Sequence, residues 1–163
     1  MKLYRIKKSK IDNKGRGLYA TKNIRSGTKI INYKGKIITN KQLDRSDKYD
    51  NGKPIYLFTL NKRYTLDGDF SWNIAGLVNH SCNPNSEYEG KGFKVWITAI
   101  KDIKQGEEIT CDYGFSFDKD YKQFPCNCNS INCCGYIVQE VSRWRINKKF
   151  AMSNKQNLIN NSR

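Results

Sequence analysis

A single histidine, His80, occurs among the 163 residues. Its isolation excludes a metal site built on paired histidines and any two-histidine mechanism. No apolar run approaches the ~20 residues a membrane span needs, and no signal-peptide apolar core follows the basic first residues. The expectation is a soluble, intracellular protein in a reducing compartment. Acid is scarce as well: 15 Asp+Glu face 30 Lys+Arg, a formal net charge of +15. The shortage is greatest at the ends. Lys2, Arg5, Lys7, Lys8 and Lys10 precede Asp12, while Arg143, Arg145, Lys148, Lys149, Lys155 and Arg163 follow Glu140. A field of that sign attracts polyanions and repels basic peptides, so nucleic acid contact through the basic termini is one reading. A solvated, lysine-biased surface is the other. The apolar fraction is only 37%, yet ten tyrosines, seven phenylalanines and three tryptophans supply bulk for the core of one ordinary domain.

In a reducing compartment, six cysteines read as metal ligands or core thiols before they read as disulfides. Cys126-Asn127-Cys128 and Cys133-Cys134-Gly135 form a thiol cluster in a hydrophilic segment, where free exposed cysteines are uncommon. Cys126, Cys128 and Cys133 suit a tetrahedral zinc, and a closed structural site needs a fourth thiolate. Cys82, Cys111 and Cys134 are the candidates. Cys134 is the weaker one, because adjacent residues rarely both reach one ion without strain.

Short β runs punctuated by Gly, Asn and Asp dominate the rest, and no repeat is present. A basic N-terminal strand is followed by runs at Leu18–Ala20, Lys29–Tyr33, Lys36–Thr39, Ile55–Leu60, Tyr64–Leu66, Lys94–Ile100 and Glu108–Cys111. Gly27, Gly35, Gly68 and Gly106 fall at turns, and Asn61-Lys62-Arg63 reads as a hairpin connection. A short helix is predicted from Ser71 as N-cap, with Ile74, Leu77 and Val78 on one face. Residues 40–54 read as a polar surface insertion. Trp144, Ile146 and Phe150 read as a docking segment ahead of frayed last residues.

Several stretches are dense in residues that do chemistry. Gly15-Arg16-Gly17 allows close backbone approach to a ligand. Asn79-His80-Ser81-Cys82-Asn83-Pro84-Asn85 ends an apolar stretch with side chains that need specific partners when buried. Gly106-Glu107-Glu108-Ile109-Thr110-Cys111-Asp112-Tyr113 passes from a turn through a strand to an acid–tyrosine pair. Taken alone, the glycine stretch is better explained by a strand-to-strand turn and the tyrosine by a core position, while the Asn79 stretch is as well explained by a capped turn.

In this order, with Tyr56-Leu57-Phe58 between them, these stretches resemble the SET-domain protein-lysine methyltransferases with a post-SET zinc-binding tail. The resemblance runs over about residues 4–137, and four ordered motifs are far more specific than one. It implies a mainly β chain: a SET fold of small curved sheets with few short helices. In that fold the Asn79–Cys82 and Asp112-Tyr113 segments form a pseudoknot. It divides the chain into a SET domain (1–117), a post-SET segment (118–137) and a basic tail (138–163).

The same resemblance implies S-adenosylmethionine against Gly15, Arg16, Gly17, Asn79, His80 and Tyr113. Tyr136 would pack on the cofactor once the cysteine tail closes. Tyr56, Phe58, Cys111 and Tyr113 would line a lysine channel, with Tyr113 and Tyr56 as its catalytic residues. Cys82 becomes the fourth ligand, beside Cys126, Cys128 and Cys133, of a structural zinc. A sulfonium beside the lysine ammonium lowers the lysine pKa, and alignment supplies several kcal/mol of acceleration. Tyr113 then orients the amine and does not act as base, since a phenol titrating near ~10 is protonated at neutral pH.

The implied substrate is a lysine of a histone or another basic, nucleic-acid-associated protein. The chain would act as a monomer, at chromatin in a eukaryotic nucleus or otherwise in the cytoplasm. The alternative is a nucleic-acid- or nucleosome-binding module with the same fold and little turnover. Cys111 stands where the family usually has Phe or Tyr, and the space it leaves makes di- or trimethylation an expectation. Gly76-Leu77 stands where Arg-Phe is frequent, and Asn61 where Asp is common.

Overall fold

The computed structural model describes residues 2–12, 15–49 and 56–148. Ten short strands, one five-residue α-helix and four 3-10 turns carry the fold among the described residues. Strand β1 (Tyr4–Lys8) pairs antiparallel with β2 (Arg16–Ala20), and β2 with β10 (Glu108–Cys111). The two-residue β7 (Asn79–His80) runs parallel to β10, setting Asn79 opposite Thr110 and His80 opposite Cys111. A second sheet has the order β3 (Lys29–Tyr33), β9 (Lys94–Ala99), β8 (Ser86–Lys91). A third has the order β4 (Lys36–Thr39), β6 (Tyr64–Asp67), β5 (Leu57–Thr59). Leu18 of β2, Ile97 of β9 and Ile109 of β10, each 0% exposed, share one core with Leu66 of β6. No helix among the described residues is long and apolar enough to cross a membrane.

The β-rich reading of the sequence holds, with differences that have local causes. Strand β8 is absent from the sequence reading because its Ser-Glu-Tyr-Glu-Gly-Lys is poor in β formers. Its partner β9 supplies the apolar face. The helix from Ser71 is a 3-10 turn over Ile74–Leu77, and Ser71 does not cap it. The preceding Asn73 uses its side chain elsewhere, donating to Gly68 O and accepting from Lys34 N. Ala75 and Val78 are its buried residues, while Ile74 and Leu77 are only partly buried. A three-residue period puts Ala75 and Val78 in line.

The polar stretch from residue 40 is also more than a surface insertion. Thr39 and Gln42 close a capping box on helix α1 (Asn40–Asp44). Lys48 and Tyr49 then reach Asp67 at 2.6 and 2.9 Å. Asp67 is 2% exposed; burial pushes its carboxyl up, but these bonds and one from Asp69 N outweigh that and hold it low. Residues 50–54 lie outside the described residues, as do Ile55 of the strand predicted at Ile55–Leu60, Phe150 and the last ten residues.

Candidate active site

Glu108, at the start of β10, organises the N-terminal side of the site. Its carboxylate accepts from Ser9 Oγ (2.7 Å), Lys10 N (3.1 Å), Tyr19 OH (2.8 Å) and Asn79 Nδ2 (2.8 Å). Gly17 makes room for it, because a Cβ there would collide with that carboxylate. Asn79 Nδ2 also donates to Arg16 O at 3.0 Å, so Asn79 and the glycine turn are tied directly. Burial first, and Glu108 second, push the Tyr19 phenol up to about 12. The sequence reading includes Glu108 in the turn-to-strand motif and gives it no role of its own. Its only signal was a carboxylate one residue before the buried Ile109.

On the other side of β7, His80 is 4% exposed. Its Nδ1 accepts from Tyr113 N at 3.1 Å, which puts the ring proton on Nε2, 3.5 Å from Cys82 Sγ. Asp112 lies 3.7 Å from Nδ1, close enough to suggest an ion pair. The bond from Tyr113 N and the depressed pKa say otherwise: burial first, opposed by Asp112 and aided by Arg143, brings His80 down to about 4. The ring is neutral at physiological pH. Tyr113 OH donates to Val78 O at 2.9 Å, and burial raises its pKa, so the phenol stays protonated.

The partner of Asp112 is Arg143, which the sequence reading grouped with the terminal cations open to polyanions. It is 2% exposed and is not available to them. Its guanidinium donates to Val138 O (2.9 Å), to Cys82 O (2.7 Å) and to the Asp112 carboxylate. One side chain therefore ties the C-terminal 3-10 turn, Glu140–Arg145, to both motif segments. Val138 is 0% exposed whereas Trp144 is 43% exposed, so Val138 and Arg143 dock this segment and Trp144 does not.

The Sγ atoms of Cys82, Cys126, Cys128 and Cys133 all lie within 4.8 Å of one another, with Cys82 to Cys126 at 3.9 Å. A tetrahedral zinc with Zn–S near ~2.3 Å needs sulfurs roughly 3.8 Å apart, so the four thiols fit such an ion with small adjustment. Two backbone donors already face the sulfurs, Cys82 N to Cys128 at 3.3 Å and Gly135 N to Cys133 at 3.4 Å. The other candidates are engaged elsewhere: Cys134 donates to Tyr136 O at 3.3 Å and Cys111 contacts Ser86 Oγ at 3.2 Å.

A cavity of about 270 Å³ lies between the cysteine tail and the motif segments. Asn79, His80 and Tyr113 line it, Ile11 and Asp12 close one side, and Pro125, Cys126, Asn127 and Ile137 the other. Gly15, Arg16 and Gly17 stand behind it: Ser9 N donates to Gly15 O at 3.1 Å, and Arg16 O holds Asn79. Tyr136 is not among the lining residues; its ring meets Tyr121 at 5.0 Å. A pocket of this size, walled about equally by polar and apolar groups, suits a small polar ligand of cofactor type.

Aromatic rings fill the next layer. Phe58 lies 4.6 Å from both Tyr33 and Tyr88 between ring centroids. The Tyr88 phenol feels Cys111, Tyr113, Tyr33 and Tyr56, and burial raises its pKa. Tyr56 is 38% exposed, and Gly76 lies against its ring. Cys111 is 0% exposed beneath this layer. The predicted channel residues Tyr56, Phe58 and Tyr113 are thus gathered around Tyr88, a residue the sequence reading did not single out.

Comparison with known proteins agrees with this arrangement. Residues 15–114 match the family model described as SET domain. Human histone-lysine N-methyltransferase 2D is 37% identical over 125 residues, 73% of this chain and 2% of that protein. Histone-lysine N-methyltransferase trithorax of Drosophila melanogaster is 36% identical over 129 residues, 76% of this chain and 3% of that protein. Histone-lysine N-methyltransferase ASHR3 of Arabidopsis thaliana is 34% identical over 142 residues, 82% of this chain and 28% of that protein. The chain therefore spans only a small part of the length of these relatives. Its motifs, its β architecture and the match over residues 15–114 together show that it belongs to the SET-domain family.

Proposed function

We propose that this chain is an S-adenosylmethionine-dependent protein-lysine N-methyltransferase acting on a histone or another basic, nucleic-acid-associated protein. The observation that carries the reading is the position of Tyr113. It lines the cavity beside Asn79 and His80, and its ring also neighbours Tyr56, Cys111 and Tyr88. One protonated phenol thus adjoins both the cavity and the aromatic layer, which supports reading them as cofactor pocket and lysine channel. The relatives' names, histone-lysine N-methyltransferase, agree with it.

Bound in the cavity, adenosylmethionine supplies a methyl group activated by its sulfonium. The chain's own residues do the rest. Asn79, with Ile11, Asp12 and Ile137, holds the cofactor. The neutral His80 supports the backbone of Tyr113. Tyr33, Tyr56, Phe58 and Tyr88 surround the lysine with little water, and desolvation favours the neutral amine that attacks. Tyr113 keeps its proton and orients that amine; alignment of this kind is worth several kcal/mol. The four thiolates hold a structural zinc that fixes the cavity wall formed by residues 125–137. On this reading residues 1–117 are the SET domain and 118–137 the post-SET segment, working at chromatin in a eukaryotic host.

The test is incubation with tritiated adenosylmethionine and core histones, nucleosomes or a ribosome fraction. A labelled lysine on one band is the expected outcome. Tyr113→Phe should bind the cofactor with unchanged affinity and lose at least a hundredfold in turnover. Unchanged turnover removes Tyr113 from the chemistry, and cofactor binding without labelling of any band leaves a SET module that only binds.

A further inference from the structure

We propose that the tips of hairpins β5–β6 and β8–β9, with the start of α1, form a binding surface for single-stranded nucleic acid. Two loops and a helix start converge there. Asn61 Oδ1 accepts from Arg63 N (2.8 Å) and Tyr64 N (3.1 Å), closing the first tip and leaving Lys62 and Arg63 exposed. Asn40 ties α1 to that tip through its N to Arg63 O (3.0 Å) and its Nδ2 to Lys62 O (3.1 Å), so exposed Lys41 joins them. Lys91 pairs with Lys94 across the second tip, whose turn is Gly92-Phe93 with φ of 60° at Gly92. The tips touch: the Tyr64 and Phe93 rings meet T-shaped at 5.5 Å.

Lys41, Lys62, Arg63, Lys91 and Lys94 are all exposed, and none forms an ion pair among the described residues. The acid beside them, Glu89, is taken up by Lys29 at 3.4 Å and Thr98 Oγ1 at 2.8 Å. Phe93 is the unusual member. A two-residue hairpin tip favours Gly, Asn or Asp, yet a phenylalanine stands here 51% exposed. A half-exposed ring between Lys91 and Lys94 at its own hairpin tip fits unpaired bases, which stack on aromatics while their phosphates meet the charges. Duplex DNA offers the phosphates but no free base face, and an acidic peptide offers neither planar base nor regular phosphate spacing. The C-terminal cations, part of the basic termini for which nucleic acid contact was one reading of the sequence, are less suited. Arg143 is buried, and Arg145 lies over Phe117 and Trp144.

Fluorescence anisotropy of the full chain with a labelled 12-nucleotide oligothymidylate tests the surface independently of methyl transfer. Five phosphate contacts predict a log K against log salt slope of about −3.5. Phe93→Ala should weaken binding about tenfold with the slope unchanged, as expected for stacking. Lys62→Ala with Arg63→Ala should flatten the slope by about 1.4. Lys2→Ala with Arg5→Ala, at the N-terminal end, should change affinity less than twofold. All three sets alter exposed side chains, and circular dichroism checks their fold. Equal affinity for duplex of the same length, insensitivity to Phe93→Ala, a larger loss from the N-terminal pair, or competition by polyglutamate at equal charge would each overturn the proposal.

Discussion

Tyr88 and Cys111 border, from neighbouring strands, the space that on the proposed function would set how many methyl groups a bound lysine can carry. Cys111 is fully buried with its sulfur against Ser86 Oγ at 3.2 Å. Tyr88 stands two residues beyond Ser86 on the same strand face, and its phenol is close to Tyr113 and Tyr56. The room left by a small Cys111 is therefore bordered by a second tyrosine. Tyr88→Ala should raise the ratio of di- and trimethylated to monomethylated product several-fold, read by mass spectrometry with excess cofactor. Cys111→Phe should instead cost about 1–3 kcal/mol through overpacking, visible as a lowered Tm. If Cys111→Ala changes the product ratio and Tyr88→Ala does not, this division is wrong.

Among the elements, the C-terminal 3-10 turn does most for the site relative to its length. Arg143 carries three bonds from it, and truncating one partner of a buried charge pair is costly. Arg143→Gln should destabilise by about 2–3 kcal/mol, discounted because Asp112 is 24% exposed. It should also raise cofactor Kd more than the KM for a lysine peptide, because the loosened wall borders the cavity proposed for the cofactor. An equal rise in both would reduce Arg143 to a general stabiliser. Lys at this position should restore little, lacking the planar fork that reaches three acceptors.

Nothing in Glu140–Arg145 announces this in the sequence. The turn has no apolar periodicity, and a buried arginine looks like any other cation until its acceptors are placed. Strands β3, β4 and β10 were legible because β-branched residues and turn glycines mark them. The Asn61 hairpin was legible for the same local reason. Strand β8, the hub at Glu108 and the place of Tyr88 depend on partners many residues away, which periodicity does not report. Of the site, the clustered cysteines and the Asn79–Cys82 and Asp112-Tyr113 segments were readable as motifs. The bond from Tyr113 to His80 and the displacement of Tyr136 by Ile137 were not.

The whole molecule combines a three-sheet core with a clamp of cysteines, and the two have different sources of stability. Leu18, Leu66, Ile97 and Ile109 belong to a buried cluster that includes none of the four clustered cysteines. Residues 125–137 contribute nothing to that buried cluster, and three of the four clustered cysteines, Cys126, Cys128 and Cys133, lie within them. Metal removal should leave the far-UV spectrum nearly unchanged while cofactor affinity falls at least tenfold and backbone exchange rises across residues 125–137. Global unfolding on chelation would show that the sheets also need the ion.

Strand β1 closes the first sheet at only one side. Among the described residues no strand pairs with its outer edge, the kind of edge onto which another extended chain can add. Arg5, Lys7 and Lys8 set three positive charges along its five residues. Two such edges meeting head-on repel before their backbones can pair. Part of the charge that first suggested a polyanion thus has a second use, as a guard against sheet-to-sheet aggregation.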